Sequence, residues 1–317
     1  MIVSNVSLAA LTTLKIGGTG RWFVQVHSPE ELESSYRWAR DLPVLFLGQG
    51  SNVLFSDEGF PGLLIQNQIK GLDRQQDEVV VGGAENLGHL IRWVNQHRLK
   101  GLECMYGIPG SVAGAVIGNA GAYGQEIRDT VVNVQAWSPQ GALVMTAEDA
   151  GFSYRHSVFK ERRDHFILSC RLRLQPTSED LQSISDEILT KRLLKYPAGL
   201  QCPGSFFKNI VAADLPPEIL QTIPQDFIMF GKIPAGKLLE AVGAKGARRG
   251  DALIADYHAN LIMNAGNAGS RDILSLADEY AGRVYEHFGI RLEPEILVVD
   301  SEDWPNISSH GLSGLHG

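Results

Sequence analysis

Short apolar runs bounded by glycine or polar residues recur along most of the chain. Runs of this length and composition predict β-strands. They lie at residues 22–26, 42–48, 62–67, 78–84, 131–137, 142–147, 165–174, 259–264 and 290–299. The run 42–48 ends in glycine, which indicates a strand that leads into a loop.

Between these runs, apolar residues at helical spacing predict α-helices. The predicted helices lie at residues 28–40, 86–99, 178–195, 235–243 and 270–289. The first has a strong start signal, because Ser28 suits the N-cap, Pro29 the first helical position, and Glu31 completes a capping box. We expect Ser270 to cap the last helix and Gly289 to end it.

Strands and helices mix without a strict βαβ period, which predicts an α+β fold in three units. The predicted helix at 178–195 ends before Pro197, which marks one domain boundary. We expect the three units to cover residues 1–67, 68–196 and 197–300. Proline is frequent in residues 203–234, which predicts a connecting segment, and we assign no role to its residues 211–231. The polar, glycine-rich residues 301–317 predict a loose tail.

Residues 107–124, "GIPGSVAGAVIGNAGAYG", contain six glycines, four alanines and no charge. Glycine loses the most conformational entropy on ordering, so such a run needs a compensating interaction, such as a large ligand close to the backbone. The loop "GQGSN" at residues 48–52 has two glycines that allow positive φ and so an anion-binding nest. Together the loops predict a cofactor with a pyrophosphate. An ordinary turn at 48–52 and close helix packing along 107–124 are the structural alternatives.

Several polar residues suit catalysis and structure alike. Arg155, in "FSYRHSVFK", is a surface residue, a member of a structural ion pair, or a planar cation for a substrate carboxylate. Ser205, in "CPGSFFKN", is either a turn residue or a reactive hydroxyl. Glu293 and Glu295 stand at strand spacing around Pro294, on one face. They are either a solvated pair at the end of a strand or include a catalytic acid, and spacing alone does not choose between them.

Composition narrows the class of protein. A formal net charge of -8 argues against non-specific nucleic-acid binding. Three widely spaced cysteines suit a reducing compartment, and the N-terminus lacks the features of a signal peptide. The uncharged residues 104–124 are too rich in glycine and polar groups for a membrane span. The sequence has no metal-ligand spacing, no strand-linked GxGxxG and no complete P-loop, so we expect no bound metal. From the cysteines, the N-terminus and residues 104–124 we expect a cytoplasmic protein with no membrane partner and no obligate protein partner.

The motif set as a whole resembles the MurB family of UDP-N-acetylenolpyruvoylglucosamine reductases. The matching segments are "TTLKIGGTGRW", "LGQGSNVLF", "GIPGSVAGAVIGNAGAYG", "FSYRHSVFK", "GSFFKN", "AGKLLEAVGAKG" and "LEPEILVV", in the family's order. The resemblance covers roughly residues 10–300. It implies the FAD-binding fold of the vanillyl-alcohol-oxidase (PCMH) type in two subdomains, 1–67 and 68–196. A separate α+β substrate-binding domain would follow at 197–300.

The resemblance also implies the chemistry. NADPH would reduce FAD, and the flavin would reduce the enolpyruvyl group of UDP-N-acetylglucosamine enolpyruvate, a step of peptidoglycan synthesis and cell-wall biogenesis. Arg155, Ser205 and Glu295 match the family's stabilising arginine, proton-donating serine and assisting glutamate. The implied FAD-binding residues are Gly48, Gln49, Gly50, Ser51, Asn52, Ile108, Pro109, Gly110, Gly114, Asn119, Gly121, Ala122 and Tyr123. The implied substrate-binding residues are Tyr154, Lys208 and Asn209.

Two departures and two alternatives accompany this resemblance. The segment between Arg155 and Ser205 is shorter than in members with a tyrosine-bearing loop over the substrate, which leaves open whether Tyr196 replaces it. Ile210 stands where proline is common. An FAD-dependent oxidase of a small alcohol, or a nucleotide-binding module without catalysis, would use the same glycine loops. The flavin's colour and its response to NADPH, air and substrate separate the three.

Overall fold

The computed structural model describes residues 1–300, so the predicted loose tail at 301–317 lies outside the described residues. The strands are β1 (Val3–Ser7), β2 (Thr19–Val26), β3 (Val44–Leu47), β4 (Val53–Phe55), β5 (Phe60–Asn67), β6 (Leu72–Gln75), β7 (Glu78–Gly82), β8 (Leu99–Lys100), β9 (Gly121–Ala122), β10 (Gln125–Glu126), β11 (Val131–Ser138), β12 (Gly141–Thr146), β13 (Phe166–Arg173), β14 (Gln175–Pro176), β15 (Ile210–Val211), β16 (Lys232–Ile233), β17 (Arg248–Arg249), β18 (Ala252–Ile254), β19 (Ile262–Asn264) and β20 (Leu297–Val299). The helices are α1 (Pro29–Ala39), α2 (Leu87–Gln96), α3 (Val112–Ile117), α4 (Val158–Glu161), α5 (Leu181–Leu193), α6 (Pro217–Leu220), α7 (Ala235–Ala241) and α8 (Ser270–Phe288).

The chain forms two compact units, each assembled from separate stretches of sequence. The first unit comprises Met1–Asn5, Arg21–Gly50 and Gly62–Pro197. The second comprises Val6–Gly20, Ser51–Pro61 and the residues from Ala198 onward. The three continuous ranges expected from the sequence stay a prediction.

The first unit is built on two sheets. A four-stranded sheet has the order β1-β2-β5-β3, with β3 and β5 parallel, and an antiparallel five-stranded sheet has the order β12-β11-β13-β7-β6. Helix α2 buries Leu87, Leu90, Ile91 and Val94, the spacing of one helical face, in a core shared with α3 and the five-stranded sheet. A second core joins α1 to strands of both sheets.

The second unit packs α7 and α8 against the antiparallel sheet β17-β18-β19 around one hydrophobic core. Strand β4 joins this unit by pairing in parallel with β20, in the register Val53–Leu297 to Phe55–Val299. The predicted connection at 203–234 is more ordered than expected, since it contains α6 and the antiparallel pair β15-β16. Ile219, Leu220 and Ile223 pack into the core, so residues 211–231 help to build this unit.

Helix capping agrees with the sequence at α1 and differs at α8. Ser28 caps α1 by accepting from the Glu31 N–H, but the Glu31 carboxylate reaches back to the His27 N–H rather than to Ser28. The prediction that Ser270 caps α8 is wrong, because Gly269 is the N-cap. The Ser270 hydroxyl instead donates to Asp57 at 3.0 Å.

Gly289 ends α8 with φ of 68°, as predicted. Among residues 1–300, no helix is long and apolar enough to cross a membrane.

Candidate functional site

Two glycine loops of the first unit are joined by Asn86. The first follows β3 at residues 48–50, and the second precedes α3 at residues 107–111. The Asn86 side-chain nitrogen donates to Gln49 Oε1 at 3.3 Å and to the Gly110 carbonyl at 3.4 Å. Asn86 also caps α2, since its Oδ1 accepts from the His89 N–H at 3.0 Å. The side chain of Asn86 therefore fixes both loops at the start of α2.

The geometry of these loops requires small residues. Gly50 and Gly110 have φ of 64° and 119°, in the left-handed region that favours glycine. A Cβ on Gly48 would lie 3.1 Å from Ser111 Oγ. Ser111 caps α3 by accepting from the N–H of Gly114, and Gly114 is exposed with only that hydroxyl within 4 Å of its missing Cβ. The backbone at Gly114 is therefore accessible to a ligand.

The second half of residues 107–124 is anchored by Asn119, which is fully buried with φ of 41°. Its side-chain nitrogen donates to the Ser153 carbonyl at 2.8 Å and to Glu126 at 3.0 Å. Its Oδ1 accepts from the Arg128 N–H at 3.4 Å. The Asn119 side chain therefore fixes this stretch of backbone, and its predicted contact with FAD stays a prediction.

Beyond Asn119, the hairpin β9–β10 turns through Tyr123 and Gly124. Their φ values of 50° and 85° place both in the left-handed region, as in a type I′ hairpin turn. Tyr123 is 52% exposed at the tip of this hairpin, and Ala122 lies in β9. Among the other residues assigned to FAD, Ile108 packs beside the core of the first unit and Pro109 is exposed.

Arg155 occupies a tight turn in the first unit. Ser153 and His156 exchange backbone hydrogen bonds of 3.1 and 3.2 Å, so Tyr154 and Arg155 are the two central residues. Arg155 has φ of 54°, a conformation that costs a branched or long residue roughly 1–2 kcal/mol.

The Arg155 guanidinium reaches back to the glycine-rich segment. Its terminal nitrogens donate to the carbonyls of Gly121 at 3.0 Å and Asn119 at 3.5 Å, and its Cζ lies 5.4 Å from the centre of the Tyr154 ring. The charge is therefore held against residues 119–121.

Ser205 and Glu295 belong to the second unit, on two segments that run side by side. Phe207 and Pro294 form an antiparallel bridge. The Glu295 N–H donates to the Phe206 carbonyl at 2.8 Å, and the Lys208 N–H donates to the Glu293 carbonyl at 2.9 Å. Ser205 is therefore one residue from the bond that fixes the Glu295 backbone.

Asn260 holds the Ser205 segment from its other side. Its own carbonyl accepts from Phe206 N–H at 2.9 Å. Its side chain makes a matched pair with Phe207, accepting from the N–H at 2.9 Å and donating to the carbonyl at 2.8 Å. Asn260 is 2% exposed, so these bonds are shielded from water. Sequence reasoning missed this residue because nothing near it in the chain marks it.

The environments of the two glutamates differ. Glu293 is 73% exposed at its side chain, and its carboxylate pairs with Lys208 at 2.9 Å. Glu295 is partly buried, and its carbonyl accepts from the Asn52 side chain at 3.0 Å. Lys208 therefore lies at the edge of this segment pair. Asn209 turns inward, with its side-chain oxygen accepting from the N–H of Ala235 at the start of α7.

Ser51 and Asn52 continue the first glycine loop but fold with the second unit. The Ser51 carbonyl accepts from the Thr13 hydroxyl at 3.5 Å, and that hydroxyl also donates to the Cys202 carbonyl at 2.8 Å. The Asn52 carbonyl accepts from Leu297 N–H at 2.9 Å. These contacts fix the backbone of both residues, and their predicted contact with FAD stays a prediction.

The residues of the first unit fit a dinucleotide such as FAD. A pyrophosphate needs backbone that it can approach without meeting side chains, and the glycines of the loops fixed by Asn86 provide such backbone. Asn86 and Ser111 were not among the residues predicted for this site. Their signal was present, because each is an N-cap residue followed by a short helix that begins beside a glycine loop.

Comparisons with known proteins agree with this geometry. Residues 196–299 match a family model described as UDP-N-acetylenolpyruvoylglucosamine reductase, C-terminal domain, and residues 21–147 match one described as FAD binding domain. Two relatives are each 36% identical to this chain. Both are named UDP-N-acetylenolpyruvoylglucosamine reductase, one from Solibacter usitatus and one from Synechococcus elongatus. The alignments cover 94% and 93% of this chain and 96% and 93% of theirs.

A solved structure extends the similarity to three dimensions. The crystal structure of UDP-N-acetylenolpyruvylglucosamine reductase (MurB) from Thermus caldophilus is 31% identical, with a TM-score of 0.74. The alignment covers 94% of this chain and 98% of that one. The predicted FAD-binding fold and the predicted FAD cofactor are thereby confirmed. The chain belongs to the UDP-N-acetylenolpyruvoylglucosamine reductase family of FAD-dependent oxidoreductases.

Proposed function

We propose that the chain reduces the enolpyruvyl group of UDP-N-acetylglucosamine enolpyruvate to give UDP-N-acetylmuramate, with NADPH as reductant, in the cytoplasm. The observation that carries this proposal is the bridge in the second unit, which sets Ser205 beside the segment of Glu295. A hydroxyl donor and a carboxylate on paired segments suit protonation of a carbon next to a carboxylate. The similar protein from Solibacter usitatus is named as a reductase of UDP-N-acetylenolpyruvoylglucosamine, which is the substrate proposed here.

The reaction adds a hydride and a proton across a carbon–carbon double bond. FAD, held by the glycine loops at residues 48–52 and 107–124, would supply the hydride chemistry that links NADPH to C3 of the enolpyruvyl group. Ser205 gives its hydroxyl proton to C2 and regains one from solvent. A serine hydroxyl is a weak acid, so this transfer requires the strongly basic carbon that forms as C3 gains the hydride.

Arg155 and Glu295 act on the charge that develops at C2 and the carboxylate. The fixed guanidinium of Arg155 stabilises this charge without having to reorganise, since its turn and its contacts with residues 119–121 hold it in place. Glu295 assists the enol form of the intermediate. Tyr154, Lys208 and Asn209 bind the remainder of the substrate.

The test separates the two half-reactions in Ser205→Ala. The protein loaded with FAD is reduced anaerobically by NADPH, and the substrate is added afterwards. We expect NADPH to bleach the flavin of Ser205→Ala at close to the parent rate. Reoxidation by substrate should slow by roughly 10²- to 10⁴-fold, because no donor protonates C2.

Other outcomes would contradict the proposal. Equal slowing of both half-reactions would remove Ser205 from the role of proton donor. A parent protein that reacts quickly with oxygen and not with the substrate would be an oxidase. A purified protein without flavin colour would be a binding module.

A further inference from the structure

Arg192, near the end of α5, lies against the glycine-rich segment of the first unit. A Cβ on Gly107 would be 3.3 Å from Arg192 Cδ and 2.9 Å from Leu189 Cδ1, so α5 packs directly on the Gly107 backbone. Gly107 has φ of 84°, which a larger residue would adopt only with strain. The helix is fixed further down by Ser185, whose hydroxyl donates to the buried Glu103 carbonyl at 3.1 Å. The position of Arg192 is therefore set by packing.

The guanidinium of Arg192 has no carboxylate within ion-pair distance among residues 1–300. Its Nε is buried and lacks a hydrogen-bond acceptor within the described part of the chain. Its Cζ lies 5.2 Å from the centre of the Tyr196 ring, which orients the plane of the fork. Buried donors of this kind are rarely left without an acceptor, and each exception calls for an explanation.

The nearby charges favour an anion. Burial lowers the pKa of Arg192, the phenols of Tyr196 and Tyr123 raise it, and the like charge of Arg155 lowers it again. Two guanidinium groups thus act on one another at the glycine-rich segment. An anion with several acceptor oxygens would accept hydrogen bonds from the Arg192 guanidinium and reduce the repulsion between the two cations.

We propose that Arg192 binds a phosphate of the nucleotide that enters and leaves during turnover, at a subsite formed with Tyr196 and the Gly107 backbone. The identity of that nucleotide rests on the proposed function, which supplies two sources of the same chemistry. One is a phosphate of NADPH, and the other is the diphosphate of the UDP-sugar. Arg192 is then a specificity-determining residue, distinct from the groups that act on C2.

The experiment measures binding to the FAD-loaded protein by Arg192→Gln, Arg192→Lys and the parent. NADP⁺, NAD⁺ and UDP are titrated separately, with the flavin absorbance change and calorimetry as readouts. Lys191→Gln is the matched control, because Lys191 is the neighbouring residue of α5 and its ammonium already pairs with Glu187 at 2.6 Å.

We expect Arg192→Gln to weaken NADP⁺, UDP or both by roughly 10- to 100-fold, the range for losing a charge-assisted hydrogen bond. Arg192→Lys should weaken them less, since it keeps the charge and loses the fork. A loss for NADP⁺ but not NAD⁺ would assign the 2′-phosphate, and a loss for UDP would assign the diphosphate. Lys191→Gln should bind all three as the parent does.

Two results would overturn the inference. Unchanged affinity for both NADP⁺ and UDP would show that Arg192 binds no phosphate of either nucleotide. Loss of FAD from Arg192→Gln, with the affinities of the remaining holoprotein unchanged, would place the residue with the resident cofactor instead. These readouts need no turnover, so they stay informative even if the enolpyruvyl substrate is not reduced.

Discussion

The two units hold their key polar residues by different physical means. In the first unit, Arg155 is at the centre of a two-residue turn, with unfavourable φ and a side chain that holds the carbonyls of residues 119 and 121. In the second, Ser205 is next to a backbone bridge that Asn260 holds from the buried side. The first arrangement stores strain, and the second removes freedom through shielded hydrogen bonds.

This contrast teaches where substitutions should separate stability from activity. Replacing a strained residue can recover free energy while it removes chemistry. Replacing a buried residue such as Asn260 lowers the free energy of unfolding first, because buried donors and acceptors lose their hydrogen-bond partners. The predictions below use pairs of variants to test this distinction.

The largest effect is expected from Glu295→Gln. Its reoxidation by substrate should slow by roughly 10²- to 10⁴-fold in stopped-flow measurements, because the assisting carboxylate is lost. Glu293→Gln removes the same charge two residues away, from an exposed pair with Lys208. It should change the rate by less than about fivefold, since exposed pairs contribute little. Equal effects in the two variants would refute the choice of Glu295.

Arg155→Gly and Arg155→Ala should both lose roughly 10²- to 10³-fold in the substrate half-reaction, as for removal of a fixed electrostatic donor. Their stabilities should differ. Glycine adopts φ of 54° without strain, so Arg155→Gly should be more stable than Arg155→Ala by about 1 kcal/mol in urea unfolding. Identical midpoints would show that the turn is not strained in solution.

Asn260→Ala should mainly affect stability. It leaves the buried N–H and carbonyl of Phe207 without partners, at a cost of about 1–3 kcal/mol each. Asn267→Ala, at an exposed position of the same unit, is the control and should unfold as the parent does. A thermal midpoint for Asn260→Ala equal to that of the control would mean that the hydrogen bonds between Asn260 and Phe207 do not stabilise the fold.

The smallest effect concerns pH and Glu78 of β7. Hydrogen bonds from Arg173 and Arg171 hold the pKa of Glu78 below its ordinary value of 4.5. A carboxylate with a lowered pKa in the folded state stabilises the fold above its unfolded pKa, and this contribution is lost as pH falls through the folded value. Glu78→Gln should therefore lower the thermal midpoint slightly at pH 7, and this difference should shrink as the pH falls below the ordinary value of 4.5. A difference that grows on acidification would contradict this assignment.

Much of the fold could be predicted because its signals are local. The apolar runs located β3, β7, β11, β12 and β13, and the N-cap, Pro29 and Gly289 signals located the ends of helices. The α8 cap was wrong because Asp57, distant in sequence, takes up the hydroxyl of Ser270. A sequence window does not contain such a partner.

The residues of the site likewise divide into those that the sequence marks and those that it does not. Glycine loops are visible in sequence because their composition is unusual, and Arg155, Ser205 and Glu295 were assigned by resemblance to a family. Asn86 was missed although its N-cap position beside a glycine loop was a signal, and Asn260 was missed because nothing near it in the sequence marks it. Their roles depend on what the tertiary fold brings next to them.

The pairing of β4 with β20 bears on how this molecule could be divided or recombined. The core around α8 includes Leu14, Ile16 and Leu54, all supplied from the beginning of the chain. A gene fragment starting at Ala198 would lack these side chains and leave β20 without the neighbour that covers its edge. The C-terminal sequence is thus not an independent module. Shuffling it between family members requires exchange of its N-terminal complement as well.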